Sequence, residues 1–185
     1  MGGIEFYTVP DGRVCFTTDG VQSFVFSPEH VHITELVIET MERYYPDAVI
    51  RLRKIYKGSR ANRQFYLYRI AHRFIRCNFG EYDTLHHDLT DCKTFNLEQV
   101  KCPLRGECPE EGCICNPRFH SPFSPREEEV VKCLAEGYSR GEAAERLCIS
   151  VNTVNRHIDN IKTRLQLRHT YNIISLYSSM PVLRT

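Results

Sequence analysis

The chain of 185 residues lacks the features that mark membrane-spanning or exported proteins. No run of about 18 apolar residues occurs, so no membrane-spanning helix is expected. Residues 1–10 have neither a basic start nor a long apolar stretch, so they do not predict a secretory signal. The hydrophobic fraction of 42% and the charged fraction of 25% are ordinary for a globular protein. We therefore expect a cytoplasmic protein with no membrane partner.

Sequence patterns of catalysis are also missing. The chain has no glycine-rich phosphate loop, no Gly-x-Ser-x-Gly turn and no ordered set of Ser or Cys, His and Asp that would form a triad. His86 and His87 lie among Asp83, Asp88 and Asp91, but adjacent residues of an extended chain point in opposite directions. A solvated acidic loop is the better interpretation of this segment, and we do not expect an enzyme.

The net charge is only +1, which by itself does not indicate a nucleic-acid partner. The basic residues are concentrated in two zones, 51–76 with no acidic residue and 146–170 with Asp159 as its one acid. Such zones favour two surfaces able to meet phosphates. In the first zone, amphipathic helices with aromatic core residues and a solvated basic face are the better explanation.

The N-terminal part predicts a small sheet followed by helices. Turn signals separate three strand-like segments, which cover residues 4–9, 14–17 and 21–26. Ser27 and Pro28 predict the start of a helix that continues through residues 31–44. Apolar residues at helical spacing predict two further helices at 48–56 and 62–77, with Gly80 as a left-handed cap after the second. From there to about residue 122 the chain looks irregular.

The C-terminal part predicts four short helices. Ser124 and Glu127 have the spacing of a capping box, and Gly137 ends that helix. Ser139 begins the second helix and Ser150 caps the third. The third and fourth helices are predicted at 151–165 and 170–180.

The third of these helices carries a polar face. Two helices joined by three or four residues must cross steeply, so the later one projects from the bundle. Its exposed residues offer amide, hydroxyl and guanidinium groups, which hydrogen-bond base edges and phosphates in a major groove. They are Asn152, Thr153, Asn155, Arg156, Asp159, Asn160, Lys162 and Thr163.

Residues 123–180 resemble the LuxR/GerE-type helix-turn-helix domain of bacterial regulators. The motifs are Ser-Pro-Arg-Glu-x-Glu-Val at 124–130, Leu-Ala-Glu-Gly-Tyr-Ser at 134–139, Ala-Ala-Glu-Arg-Leu-x-Ile-Ser at 143–150 and Asn-Thr-Val-x-x-His at 152–157. The resemblance implies that helix 151–165 reads double-stranded DNA, with Asn155, Arg156 and Asp159 facing bases. It implies phosphate contacts at Thr153, Lys162 and the segment around Ser139 and Arg140, and a homodimer formed through the last helix.

This sequence departs from the family at the base-reading face. The family usually has a basic residue where Asn155 stands, and Asp159 is an unfavourable neighbour for phosphate. We therefore expect an unusual DNA target. The alternative is a protein-interaction adaptor that has kept the fold and lost DNA binding. The N-terminal part is too short for a phosphoacceptor receiver domain, so a two-component response regulator is not predicted.

Between the two parts lies a cysteine cluster formed by Cys102, Cys108, Cys113 and Cys115. Four thiols within a short segment rich in Pro and Gly are able to converge on one tetrahedral centre, and zinc prefers such sulfur ligands. The sequence thus predicts a structural zinc site. One alternative is a metal- or redox-sensing regulator that uses an iron–sulfur cluster or a labile zinc site at these residues. The other is a linker of reduced thiols without a metal.

The cysteine segment resembles one that precedes the same DNA-binding domain in some Bacteroidetes regulators. That resemblance implies Cys102, Cys108 and Cys115 as shared positions and leaves the fourth ligand open. Cys113 is the first candidate, Cys92 the second, and His86 or His87 the third. The remaining cysteines (Cys15, Cys77, Cys133 and Cys148) are interpreted as buried apolar residues.

The predicted architecture is mainly α. It has a small N-terminal α(+β) domain at 1–80, an irregular cysteine-rich metal-binding segment at 81–122, and a four-helix LuxR-type helix-turn-helix domain at 123–185.

Overall fold

A computed structural model describes residues 3–83, 87–91 and 93–180 of the chain. These residues form two compact units, Met1–His120 and Ser121–Thr185. No helix in the described ranges combines the length and apolar character needed to cross a membrane. The candidate ligands His86 and Cys92 lie outside the described residues.

The first unit begins with a three-stranded antiparallel sheet. Its strands are β1 (Glu5–Thr8), β2 (Val14–Thr17) and β3 (Ser23–Val25), in the order β1-β2-β3. Gly12 takes a positive φ of 85° in the turn between the first two strands, a conformation that glycine adopts without steric cost. The predicted meander is confirmed.

Three helices follow the sheet: α1 (Val31–Tyr44), α2 (Pro46–Ile55) and α3 (Arg63–Asn78), with a short 3₁₀ turn at Lys57–Ser59 before α3. The prediction that Ser27 and Pro28 start α1 is wrong. The His30 amide donates to the Ser27 carbonyl, and the Ser27 hydroxyl hydrogen-bonds His30 Nδ1 at 3.0 Å. The carbonyl and hydroxyl groups of Ser27 are both engaged in this turn, so the hydroxyl does not cap a helix.

The end of α3 also differs from the prediction. Gly80 is not a left-handed cap, since the residue that closes the helix is Phe79 in an extended conformation with φ of −134°. The fully buried Phe79 ring then enters an aromatic core with Phe6, Phe74 and Phe95. Hydrophobic burial of this ring therefore directs the chain out of the helix.

Up to His120, the described residues of the predicted irregular segment 81–122 belong to the first unit. Leu89 pairs with Ile4 beside the sheet, and Phe95 is 1% exposed in the aromatic core. Ile114 is fully buried as well. The segment is irregular in backbone, but it contributes core residues to the first unit instead of linking two independent parts.

The second unit consists of four helices, as predicted: α4 (Pro125–Ala135), α5 (Arg140–Arg146), α6 (Val151–Leu165) and α7 (Thr170–Ser178). α4 packs against the other three, and α5 packs on α6. The core consists of small and aliphatic side chains from every helix: Val130, Val131, Ala143, Val154, Ile158, Ile161 and Ile173.

Three acidic side chains meet beside β1 in the first unit. Carboxylate oxygens of Glu5, Asp88 and Glu98 lie within 4.8 Å of one another, and Glu5 and Asp88 are 3% and 2% exposed. Each carboxylate accepts a backbone N–H, from Asp83, Phe6 and Gly80 respectively. These bonds attach the chain after α3 to the sheet.

Burial and repulsion from neighbouring carboxylates raise the pKa values of Glu5 and Asp88 and so favour their protonated forms. Burial raises the pKa of Asp88 to about 9. The hydrogen bond from the Phe6 amide lowers this pKa, whereas the nearby carboxylates of Glu5 and Glu98 raise it further. Burial likewise raises the pKa of Glu5 to about 7. A carboxyl whose pKa is higher folded than unfolded binds a proton that the unfolded chain releases. The first unit should therefore lose stability as pH rises from about 5 towards 9.

We predict that Asp88→Asn flattens this pH dependence, because the amide keeps an acceptor for Phe6 and cannot ionise. The wild-type free energy of opening around β1 should fall by at least about 1 kcal/mol between pH 5.5 and pH 8.5. Hydrogen-exchange mass spectrometry of the β1 peptide, corrected for intrinsic exchange, measures this. The matched control is Asp91→Asn at an exposed site, and an equally steep dependence in Asp88→Asn would contradict the assignment.

Candidate functional site

The second unit is built on well-capped helix ends. Ser124 and Glu127 form the predicted capping box, in which each side chain bonds the other residue's amide. Gly137, with φ of 93°, ends α4 while the Tyr138 amide donates to the Cys133 carbonyl at 3.1 Å. Both the start and the stop of this helix follow from local sequence.

The turn between α5 and α6 is short and fully hydrogen-bonded. Cys148 is left-handed with φ of 53°. The Ile149 amide donates to the Ala144 carbonyl at 2.9 Å, and the Cys148 amide to the Glu145 carbonyl at 3.1 Å. This is a Schellman motif. Cys148 is exposed, so its interpretation as a buried apolar residue is wrong, whereas Cys133 is buried as predicted.

Ser150 starts α6 as predicted. The Thr153 amide donates to Ser150 Oγ at 3.1 Å, and the two hydroxyls lie 2.9 Å apart. Thr153 is therefore half-buried and engaged at the helix N-terminus. The cap leaves α6 fixed directly after the turn.

One face of α6 is buried and the opposite face is polar and exposed. Val154, Ile158 and Ile161 are at most 1% exposed. At about 100° per residue, the side directly opposite carries four of the predicted residues. They are Asn152, Arg156, Asp159 and Thr163, and all four are exposed.

The other predicted residues flank this strip. Asn155 and Lys162 lie on one side of it, with Asn160 and Thr153 on the other. Arg140 of α5 donates to Asn155 Oδ1 at 2.8 Å, so α5 contributes a guanidinium beside α6. Ser139, in contrast, has its hydroxyl engaged in the capping box of α5.

Two acidic groups limit the positive charge of this surface. Asp159 Oδ1 lies 3.6 Å from Lys162 Nζ, so the carboxylate partly neutralises the lysine. Arg164 faces away from the polar strip and bonds Glu127 through two nitrogens, at 3.0 and 2.6 Å. The cations available to an anionic partner are therefore chiefly Arg140, Arg156 and Lys162.

Two capped helices joined by a tight turn, the second presenting a polar face, define a helix-turn-helix domain. Residues 121–177 match the family described as bacterial regulatory proteins, luxR family. This segment is thus a LuxR-type helix-turn-helix domain, which confirms the resemblance seen in the sequence. Comparisons with curated proteins and with solved structures returned no match.

The first unit contains a second candidate site, a cavity of about 400 Å³ lined by thiols. Cys102, Cys108 and Cys115 line it, as the predicted metal site requires, but the fourth cysteine is Cys77. Cys113 does not line the cavity, and its Sγ faces the Asp47 carbonyl at 3.9 Å. The cavity thus brings together three of the four cysteines predicted as ligands, with Cys77 in the place expected for Cys113.

The Asn78 side chain holds the segment around Cys115 against the end of α3, where Cys77 lies. The asparagine side chain is fully buried and donates from Nδ2 to the Ile114 carbonyl at 2.8 Å, while its Oδ1 accepts the Asn116 amide at 3.0 Å. Cys115 lies between these two residues, so the clamp brings it beside the end of α3. The sequence interpretation of Cys77 as a buried apolar residue did not place it beside the other thiols, because this proximity becomes visible only once the fold is known.

The thiols affect one another electrostatically. Burial raises the pKa of Cys77, which Arg73 partly offsets and the neighbouring Cys115, Cys102 and Cys108 raise further. Burial also raises the pKa of Cys115, against the nearby Arg105. The raised pKa values favour the protonated thiols of Cys77 and Cys115, and a bound cation would have to displace those protons.

The ion pair of Glu127 and Arg164 supports the whole second unit. Burial alone raises the pKa of Glu127, but bonds from Arg164 and Ser124 outweigh it, so the pKa lies below its usual value. We predict that Arg164→Ala destabilises this unit by about 2 kcal/mol, because it removes charge-assisted hydrogen bonds to a buried carboxylate. Hydrogen exchange of the α4 peptide measures the loss.

The matched control is Lys132→Ala on the exposed side of α4. It should change the stability by no more than about 0.5 kcal/mol. Equal effects of the two substitutions would contradict a structural role for the ion pair.

Proposed function

We propose that the chain is a sequence-specific transcriptional regulator that binds double-stranded DNA with α6 in the major groove. The observation that carries the proposal is the polar strip of α6 opposite its buried face. Arg156 at its centre has the bidentate geometry that suits guanine, and Asn152 offers an amide that suits adenine. The LuxR-type match over residues 121–177 supports the same conclusion.

The contacts divide into two kinds. Residues at the centre of the strip face the floor of the groove, whereas Arg140 and Lys162 at its side meet phosphates. Asp159 accepts hydrogen bonds and repels phosphate, so its favourable partner is a cytosine amine. This combination explains a target preference that differs from regulators with a basic residue at the position of Asn155.

We also propose that the protein acts as a homodimer through α7. Tyr171 is 65% exposed on this helix, and the half-buried Ile174 lies one turn further along the same side. Large apolar groups exposed on one helix favour packing against a second copy. A two-fold dimer places its two α6 helices in half-sites about one helical turn apart.

We predict that alanine substitutions at Arg156 and Lys162 change DNA binding in different ways. Arg156→Ala should remove the preference at one base pair, at a cost of about 1–3 kcal/mol for the specific site. Lys162→Ala should weaken binding to all sequences alike and reduce the salt-dependence slope by about one. Equilibrium binding to a selected operator and to unrelated DNA at several salt concentrations separates the two.

Lys132→Ala is the control here as well, since it removes one charge from an exposed site on α4 outside the polar strip. The DNA affinity of this variant, and the slope of its salt dependence, should match those of the wild type. If Arg156→Ala and Lys162→Ala also leave binding unchanged while the domain stays folded, the adaptor alternative replaces the regulator.

We predict that Tyr171→Glu weakens self-association about tenfold or more, because it places two like charges in the two-fold contact. Sedimentation velocity over a concentration series measures this. The matched control is Val21→Glu, which changes an apolar residue that is 89% exposed in the first unit. Unchanged association of Tyr171→Glu would exclude α7 as the dimer contact.

A further inference from the structure

Four cysteines from two segments of the chain surround one cavity of the first unit. Cys77 comes from the last turn of α3, and Cys102, Cys108 and Cys115 come from the turns that follow Val100. All four are partly buried and none is in a disulfide. Thiols gathered in this way from separate segments are typical of a thiolate metal centre.

Each cysteine is held by its backbone. The Arg105 amide donates to the Cys102 carbonyl at 3.2 Å, and the Cys108 amide to the Leu104 carbonyl at 2.9 Å. The Gly112 amide donates to the Cys115 carbonyl at 2.8 Å. These turns aim three thiols at the cavity, and the Asn78 clamp positions the fourth.

The loop is also attached to the helices by an ion pair. Glu110 is 9% exposed and accepts two hydrogen bonds from Arg51 of α2, at 2.7 and 2.5 Å. The backbone around the thiols is therefore fixed without any contribution from a bound group. A preformed ligand arrangement reduces the ordering cost of binding.

The lining of the cavity places cationic donors near the thiols. Its charged residues are Arg73, Arg76, Lys101 and Arg105 together with Glu81, Glu110 and Glu111, and Arg105 Nη2 lies 3.9 Å from Cys115 Sγ. Thr8 lines it as well, and its buried hydroxyl oxygen bonds no described residue. Guanidinium and hydroxyl donors near sulfur stabilise thiolates and the sulfides of a cluster.

The spacing of the sulfur atoms distinguishes a cluster from a single ion. A zinc ion with Zn–S bonds of about 2.3 Å holds its four tetrahedral sulfurs about 3.8 Å apart. Among the described residues, no three cysteine sulfurs lie within 4.8 Å of one another. An iron–sulfur cluster places iron and sulfide between its thiolates and so separates them more widely.

We propose that Cys77, Cys102, Cys108 and Cys115 ligate an iron–sulfur cluster in the first unit. The cavity is far larger than a single ion, which occupies about the volume of one water molecule, and the Arg105 guanidinium lies beside one of its sulfurs. Cys113 is excluded from the ligand set by its orientation towards Asp47.

The test uses the full chain, produced with added iron and purified without oxygen. Iron, inorganic sulfide and zinc are quantified, and the visible charge-transfer absorption is recorded. In the wild type and in Cys113→Ser we expect one inorganic sulfide per iron, at the same occupancy in both proteins. Cys77→Ser and Cys115→Ser should lose both iron and sulfide. The Cys113→Ser variant is the matched control because it removes a thiol from the same loop.

A second measurement needs no substitution and therefore does not depend on whether a variant folds. Wild-type protein is alkylated before and after removal of the metal, and the modified cysteines are mapped by mass spectrometry. Removal should expose Cys77, Cys102, Cys108 and Cys115 to alkylation, whereas Cys113 should react equally in both states.

Three results would overturn the proposal. One is wild-type protein without bound metal under these conditions. Another is metal that persists in Cys77→Ser or is lost in Cys113→Ser. The third is one zinc per chain with neither iron nor sulfide, which would replace the cluster by a mononuclear site.

Discussion

The presentation of α6 depends on the turn between α5 and α6. Cys148 takes the left-handed conformation, two Schellman hydrogen bonds close α5, and Ser150 caps α6 directly afterwards. Because few torsions remain free, the turn fixes the crossing of the two helices. Val154 and Ile158 then enter the core, and the opposite face of α6 stays in solvent. A longer or unsatisfied connection would not hold that face in one orientation.

In the first unit, the buried side-chain amide of Asn78 likewise holds two segments of the chain together. Both ends of the Asn78 side chain are hydrogen-bonded, to the carbonyls of Phe74 and Ile114 and to the Asn116 amide. A buried polar group that lost these partners would be strongly destabilising, so the segment around Cys115 has little freedom to leave α3. The thiol-lined cavity is thus a consequence of hydrogen bonding as much as of hydrophobic packing.

Local signals predicted the second unit well and the first unit only in part. Capping boxes, helix-ending glycine and helical spacing act within a few residues, and α4 to α6 followed them closely. Ser27 does not start α1 because its hydroxyl and carbonyl bond His30 instead. The sequence did not place Cys77 near the other thiols because the tertiary hydrogen bonds of Asn78 bring Cys115 to the end of α3. Proximity in sequence favoured Cys113, but the backbone of its turn directs that thiol towards Asp47.

We propose above all that α6 reads specific bases, and that each copy of a dimer contributes one such helix. Selection of bound duplexes from a random pool by the full chain tests it most directly. We expect enrichment of two related half-sites whose centres lie about one helical turn apart. A pool that stays random after repeated selection, with binding that depends on salt alone, would contradict sequence-specific recognition by this helix.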